Sequence, residues 1–487
     1  MGRYSIVSLL LLAALFVSCG GKDTAGTESN GSEAVTGGDT TAIAEDSYQY
    51  PVLDCGGEPL RILNASNAWG TYSMLDFEEE TGELLDDKVF QRNRGIEERF
   101  NTSMEVTEYD IDEATKHFTT IMMSGEDLYD LTYLRADTLP APLTDGMFYD
   151  LNEISGLRLS EPWWDSAIAE GGTIGDNQSL FFASNYFSLF GFDATVCVYF
   201  NEKMFQNLDI EFPYQLVRDG KWTLDRFYEF AALGANTNGD SSFAWTDSGS
   251  AVYGVTTWSN GFQALLGGAG AYYLEMKDGT PVLSVTDEHF INTATSLAEN
   301  LFSREGVFAL FNTSDNTKPD HYEVMFQNGR TIMTVAQIKT SSRFRDMEDS
   351  FGILPLPKYD EAQDGYSCYI SSTQLLMGMP ITSTNTERTA ILMDALAYES
   401  YRDVLPVYYE VKVSQKGLRN EESIEMLDII RANRYTNFGE VFGWTNDLQS
   451  SVYGKLSAGS ADIASLIASN LKTIEKKIES TMDMVNE

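Results

Sequence analysis

Apolar and polar positions along this chain repeat first with the period of a strand and then with that of a helix. Residues 60–65 (LRILNA) form a short apolar run of strand length, opening into the loop-favouring Ser66, Asn67, Trp69 and Gly70. Over 86–100 the apolar Val89, Ile96 and Phe100 return on one helix face, while Lys88, Arg92, Arg94, Glu97 and Glu98 fill the others. The segment SMEVTEYD from Ser103 alternates with period two. A further helical pattern ends near Gly125, and YDLTYL from Tyr129 is strand-like again. Strand, helix, strand, helix, strand predicts an α/β lobe with a mainly parallel sheet.

Residues 179–205 run through β-branched and aromatic residues without a helix period, which predicts two or three strands near a crossover between lobes. The next segment, KWTLDRFYEFA from Lys221, predicts a helix with Thr223 as N-cap, Asp225 in its first turn, and Phe227 and Phe230 on the buried face. Further helices are expected from Phe290, Ala294, Leu297 and Leu301, and from Ile391, Leu392, Ala395 and Leu396. At the C-terminus, Ile467, Leu471, Ile474, Ile478, Met482 and Val485 step by three and four. Trp163 and Trp164 are adjacent, so they are read as packing residues.

The N-terminus has the order of a secretory signal: Arg3, an apolar run over 6–17, then Ser18 and Cys19. That run is short for a membrane span. LFVSCG resembles the lipobox of bacterial lipoproteins, which implies that residues 1–19 are a signal peptide and that Cys19 carries lipid; Phe16 departs from the usual Leu. Residues 20–50 are rich in Gly, Thr, Ser, Ala and acidic side chains, with little large apolar surface to bury, so a tether is expected there. Residues 51–487 are then the folded part, long enough for two lobes.

Charge narrows the partners. With 33 basic against 73 acidic residues, the formal net charge is −40, which repels nucleic acid and anionic lipid headgroups. Cys55, Cys197 and Cys368 contain no CxxC pair, and burial as small apolar groups is expected for them. His117, His289 and His321 are scattered singly, which gives poor support to a zinc or Ser-His-Asp centre.

Four segments in order, DDKVFQRNRGIEERFN from Asp86, YFNEKMFQNLDIEFPYQLVRDGKWTLDRF from Tyr199, MFQNGRTIMTV from Met325 and FGILPLPKYDEAQDGY from Phe351, carry a family resemblance. Together they resemble the extracellular solute-binding proteins of ABC importers, in particular the carbohydrate-type lipoproteins of Gram-positive bacteria. The resemblance implies a periplasmic-binding-protein-like α/β fold, with two lobes, a ligand cleft and several hinge crossings. It also implies a monomer that captures a small solute and meets an importer's membrane subunits. Within these segments, Gly329 suits a left-handed helix stop, and Pro355 with Pro357 suits a sheet edge or a connection between lobes.

A sugar presents apolar C–H faces and a ring of hydroxyls, so aromatic and polar residues at strand ends are the candidates for its site. These are Trp69, Arg135, Asp137, Asn185, Tyr186, Trp258, Asn260, Gln337, Ser371, Ser372, Gln374 and Trp444. Residues 236–247 resemble a twelve-residue calcium loop, with Asn236, Asn238, Asp240, the Ser242 carbonyl and Asp247 as ligands of a structural calcium. Asn at the first position, Ser241 in place of Gly and a closing Asp weaken that match, and a polar surface turn is the other reading. No other cofactor is expected. A surface glycoside hydrolase would need two carboxylates across a scissile bond, and no pair singles itself out. A lipoprotein reporting to a receptor would share the fold of a transporter component.

Overall fold

The computed structural model describes residues 48–66, 70–243, 249–302, 304–310, 321–413, 421–458, 460 and 462–486. In chain order the strands are β1 (Leu60–Ser66), β2 (Met104–Asp110), β3 (Leu131–Arg135), β4 (Val196–Asn201), β5 (Tyr253–Thr257), β6 (Leu274–Lys277), β7 (Thr280–Leu283), β8 (Phe308–Leu310), β9 (Thr331–Gln337), β10 (Phe351–Leu354), β11 (Cys368–Tyr369), β12 (Leu375–Gly378) and β13 (Arg434–Tyr435).

Two sheets make two lobes. The first has the order β12-β3-β1-β2 and the second β10-β4-β9-β5-β8, with β11-β13 and β6-β7 as small pairs. In the first sheet β1 runs parallel to both neighbours, in register at Leu60 with Met104 and at Ile62 with Leu131; the late strand β12 joins antiparallel to β3. The helices Leu84–Phe100 and Ala114–Ser124 follow β1 and β2, as the periodicity predicts. Each stops on a left-handed residue, Asn101 and Gly125, where the chain must reverse its path.

In the second sheet β4 and β9 are buried along their whole length, which is why their sequences show no polar alternation. Gly329 has φ +64° ahead of β9, in agreement with the sequence. β10 is an edge strand, and Pro355 follows it, its carbonyl accepting the Trp222 indole N–H at 2.9 Å.

Among the described residues, two neighbouring segments run between the lobes. Ala183 bridges to Met377 and Thr195 to Ile370, both antiparallel, so the outgoing 183–195 path lies beside the returning 370–377 path. Here the sequence reading needs correction. Residues 179–205 yield one strand, β4, with the short helix Phe190–Asp193 before it and Glu202–Asn207 after it. Burial on every side removes the periodicity that would have separated these elements. Thr223 occupies the N-cap position of the helix Leu224–Gly234 without a side-chain capping bond.

The folded body begins earlier than residue 51. Tyr48 is buried against Tyr398, with ring centroids 4.2 Å apart, and its hydroxyl donates to Asp394 at 3.1 Å. Asp394 also accepts both indole N–H groups of Trp163 and Trp164 and pairs with Arg158 at 2.5 Å. The paired tryptophans are therefore packing residues, anchored on one buried carboxylate. Cys55, Cys197 and Cys368 are buried free thiols, as expected. Cys19 lies outside the described residues.

Candidate functional site between the lobes

A cavity of about 910 Å³ opens where the two lobes meet, within the size range of small-molecule sites. The first lobe contributes Ser66 at the end of β1, the following loop from Gly70 to Met74, Glu83 and Asp86 at the start of the next helix, and Glu108 on β2. Ser342 and Arg345, beyond β9, form the facing wall; Asp193 of the crossing segment and Tyr408, Glu410 and Val411 close it. Parallel strands deliver their C-terminal ends to one edge of a sheet, so the loops after β1 and β9 come to face one another.

Hydrogen bonds fix the back of this cavity. Asp193 is buried; its Oδ2 accepts the Tyr72 backbone N–H at 2.9 Å and its Oδ1 the Tyr408 hydroxyl at 2.6 Å. The Tyr72 hydroxyl donates to Asp86 Oδ1 at 2.9 Å. Burial, reinforced by the Asp86 charge, pushes the Tyr72 phenol well up, so it acts as a neutral donor. Asn64 Nδ2 donates to the Ser73 carbonyl at 2.8 Å and to Glu108 at 3.0 Å. Glu108 is accessible at the mouth, and desolvation by the surrounding chain still raises its carboxyl pKa. Lys339 reaches from the second lobe to Thr71 Oγ1 of the first at 3.2 Å.

A second cavity of about 170 Å³ is lined by Tyr272, Tyr273, Tyr369, Tyr435 and Glu440, among others. Its volume suits a few waters better than a sugar. Glu440 accepts the Tyr369 hydroxyl at 2.6 Å, and burial pushes its carboxyl up to about 7.

The residues singled out by sequence are placed differently from the cavity lining. Trp69 lies outside the described residues, next in sequence to the lining Gly70. Arg135, the last residue of β3, pairs with Asp137 and Asp112 at 2.5 Å each. Asn185 is buried in the crossing, its Oδ1 accepting from the Tyr133 hydroxyl and the Phe187 N–H. Tyr186 stacks on Phe192, and Trp258 on Tyr322. Asn260 lies in the helix Ser259–Gly268. Gln337 ends β9 in a buried position, Ser372 is buried, Ser371 meets Thr373 at 3.0 Å, and Gln374 donates to Thr436 at 2.8 Å. Trp444 is 1% exposed, stacked on Phe442 and donating to Thr481. The strand-end rule finds the junction of the lobes. It overshoots because the crossing segments pack together and bury Asn185, Ser371, Ser372 and Gln374 away from the cavity.

The sequence reading missed Tyr72, Asp86, Glu108, Asp193 and Arg345. Asp86 and Glu108 read as ordinary polar positions of an amphipathic helix and strand, and Asp193 sits inside an apolar run. The loop after β1 is legible as a strand-end site, but nothing in the sequence marks Tyr72 within it.

The described part of the proposed calcium loop uses its own oxygens. Asn236 Oδ1 accepts the Asn238 N–H at 2.7 Å, and Asp240 Oδ2 accepts the N–H groups of Ser250 and Ala251 at 2.6 and 2.8 Å. Ser242 is exposed, and Asp247 lies outside the described residues. Among the described residues, no cluster of three or more His, Cys, Asp or Glu is arranged for a metal.

No family model matches the chain, and no curated protein matches it by sequence. Solved structures match it by fold. The galacto-N-biose/lacto-N-biose I-binding protein of an ABC transporter from Bifidobacterium longum superposes with a TM-score of 0.59 at 13% identity, over 88% of this chain and 98% of its own. A cyclo/maltodextrin-binding protein complexed with maltotetraose gives 0.57 at 12%, over 86% and 97%. UgpB from Mycobacterium tuberculosis, in complex with glycerophosphocholine, gives 0.56 at 15%, over 87% and 98%. The chain therefore has the two-lobed α/β fold of periplasmic-binding-protein-like solute-binding proteins, across nearly its whole described length.

Proposed function

We propose that this protein captures a small carbohydrate between its lobes outside the cytoplasm and hands it to the membrane subunits of an ABC importer. One observation carries the reading: a sugar-sized cavity lies where the two lobes meet, and the Lys339–Thr71 contact joins them beside it. Solutes that touch both walls favour the closed arrangement, because those contacts exist only when the lobes approach.

The chemistry of the walls supports a polyhydroxyl ligand. Carboxylates accept from sugar hydroxyls, while Tyr72 supplies an apolar ring beside them. Proteins of this fold are seen in complex with maltotetraose, lacto-N-biose and glycerophosphocholine, so the fold alone leaves the solute open. Binding rather than catalysis is the activity expected, by a monomer held at a membrane through lipid on Cys19. Among the described residues no helix is long and apolar enough to cross a membrane.

A thermal-shift screen against mono- and oligosaccharides tests the reading. A ligand at ~100-fold its dissociation constant stabilises by about 2.7 kcal/mol, which is readily seen as a raised melting midpoint. Shifts with peptides and none with any sugar would remove the carbohydrate assignment. Unchanged sugar uptake after deletion of the gene would remove the importer partner and favour a sensing role.

A further inference from the structure

We infer that the second cavity, edged by the β6–β7 hairpin, binds a small quaternary ammonium cation. It shares no lining residue with the large cavity, so the inference stands apart from sugar capture. A volume of about 170 Å³ has room for one compact organic molecule, since cavities of similar size hold benzene. Tyr272, Tyr273, Tyr369 and Tyr435 line it. The Tyr435 ring packs against two of the others, its centroid 5.0 Å from that of Tyr272 and 5.7 Å from that of Tyr369. Gly267 lets the Tyr435 hydroxyl rest against the helix Ser259–Gly268, where a Cβ would overlap it. The Tyr272 hydroxyl donates to Ser367 at 2.9 Å, that of Tyr273 to Gln263 at 2.8 Å and that of Tyr369 to Glu440 at 2.6 Å. Gln263 donates in turn to the Gln449 carbonyl at 3.0 Å. With these groups spent on one another, the aromatic wall offers ring surface, whereas a neutral sugar needs open hydrogen-bonding groups.

The same lining holds Glu440, whose side chain is buried. Its hydrogen-bonding neighbours, Tyr369, Ser372 and Gln449, are neutral, and the charge acting on it is that of another acid, Asp137. Two cations stand on the lining strands, and both are engaged elsewhere: Lys277 of β6 with Glu275 at 3.0 Å, and Arg434 of β13 with Asp165 at 2.8 Å. A buried carboxylate without a counter-ion is costly, and a cation entering the cavity supplies one. Tyrosine rings attract the same cation through the negative face of their quadrupole. A quaternary ammonium suits both, because it spreads its charge over apolar methyl groups and requires no hydrogen bond.

Titration calorimetry at pH 8 with choline and with its neutral carbon isostere, 3,3-dimethylbutan-1-ol, tests the inference. Choline is expected to bind about thirtyfold more tightly, the size of a desolvated cation–π contact. Glu440→Gln keeps the acceptor for Tyr369 and loses the charge, so it should cut that advantage about tenfold. Tyr272→Leu removes one ring and should cut it about threefold. In the parent protein choline affinity should also rise about tenfold from pH 6 to pH 8, as Glu440 ionises through about 7, and in Glu440→Gln it should stay level. Melting curves establish that each variant is folded, and the glutamine variant alone decides the matter if Tyr272→Leu does not fold. Equal binding of choline and the alcohol, an advantage that Glu440→Gln preserves, or no choline binding at millimolar concentration overturns the inference and leaves sugar capture standing.

Discussion

Replacing Glu440 by glutamine isolates a buried carboxyl that burial holds near neutrality at the junction of the lobes. Glu440 sits on the short helix Phe438–Val441, takes the Tyr369 hydroxyl from β11, and feels the Asp137 charge from beyond β3. Burial is the main cause that raises its carboxyl from an ordinary 4.5 to about 7. Below pH 4.5 the proton is bound in both folded and unfolded chains, so the group adds no pH dependence. Between 4.5 and about 7 only the folded chain holds it, unfolding releases it, and stability falls as pH rises. Above 7 both states are ionised and the loss is complete, amounting to about 3 kcal/mol for a gap of this size.

Unfolding entropy is roughly 2 cal/mol/K per residue, so in a body of about 440 residues that loss lowers the melting midpoint by ~3 °C. The glutamine keeps an acceptor for Tyr369 and cannot ionise. Differential scanning calorimetry of both proteins from pH 5 to 8 should show the parent losing ~3 °C relative to the variant, with most of the divergence between pH 5 and 7. Parallel pH profiles would refute the reasoning, because other titrating groups are common to both proteins and cancel in the comparison.

Asp394→Ala removes the shared acceptor of Tyr48, Arg158, Trp163 and Trp164, leaving buried donors unpaired. It is expected to cost about 3–5 kcal/mol in urea unfolding; a loss under 1 kcal/mol would contradict the anchoring role. Tyr408→Phe takes a donor from buried Asp193 and should lower stability by about 1–2 kcal/mol while weakening solute affinity, measured on the same preparation. Burial pushes the Cys368 thiol up to about 12 and raises Cys55 and Cys197 as well. In protein beginning at Gly20, a thiol reagent at pH 8 should therefore find these three thiols unreactive until denaturant is added, and rapid labelling of the native protein would contradict their burial.

Elements with strong periodicity were legible in advance. The alternation of β2, the helix over 86–100 and the stepped C-terminal helix Ala464–Asn486 all form where their patterns place them. Where chain is buried on all faces, as over 179–205, the pattern carries no period, and a single strand flanked by short helices could not be told from two or three strands. The site was less legible for a related reason. Trp444 and Asn185 have the residue types of sugar contacts, yet both are buried, and tertiary neighbours from distant sequence, Thr481 and Tyr133, engage the indole N–H of the one and Oδ1 of the other. Conversely Asp193 gains its meaning only when Tyr72 and Tyr408, far apart in the chain, converge on it.

Small-angle X-ray scattering during titration with an oligosaccharide chosen from the thermal screen tests the central claim most directly, because it reads lobe closure and solute binding together. Capture between lobes predicts a saturable fall in the radius of gyration whose midpoint matches the calorimetric dissociation constant. A saturating oligosaccharide that binds with no contraction would contradict closure around the solute. If no oligosaccharide in the panel binds, carbohydrate capture itself is contradicted.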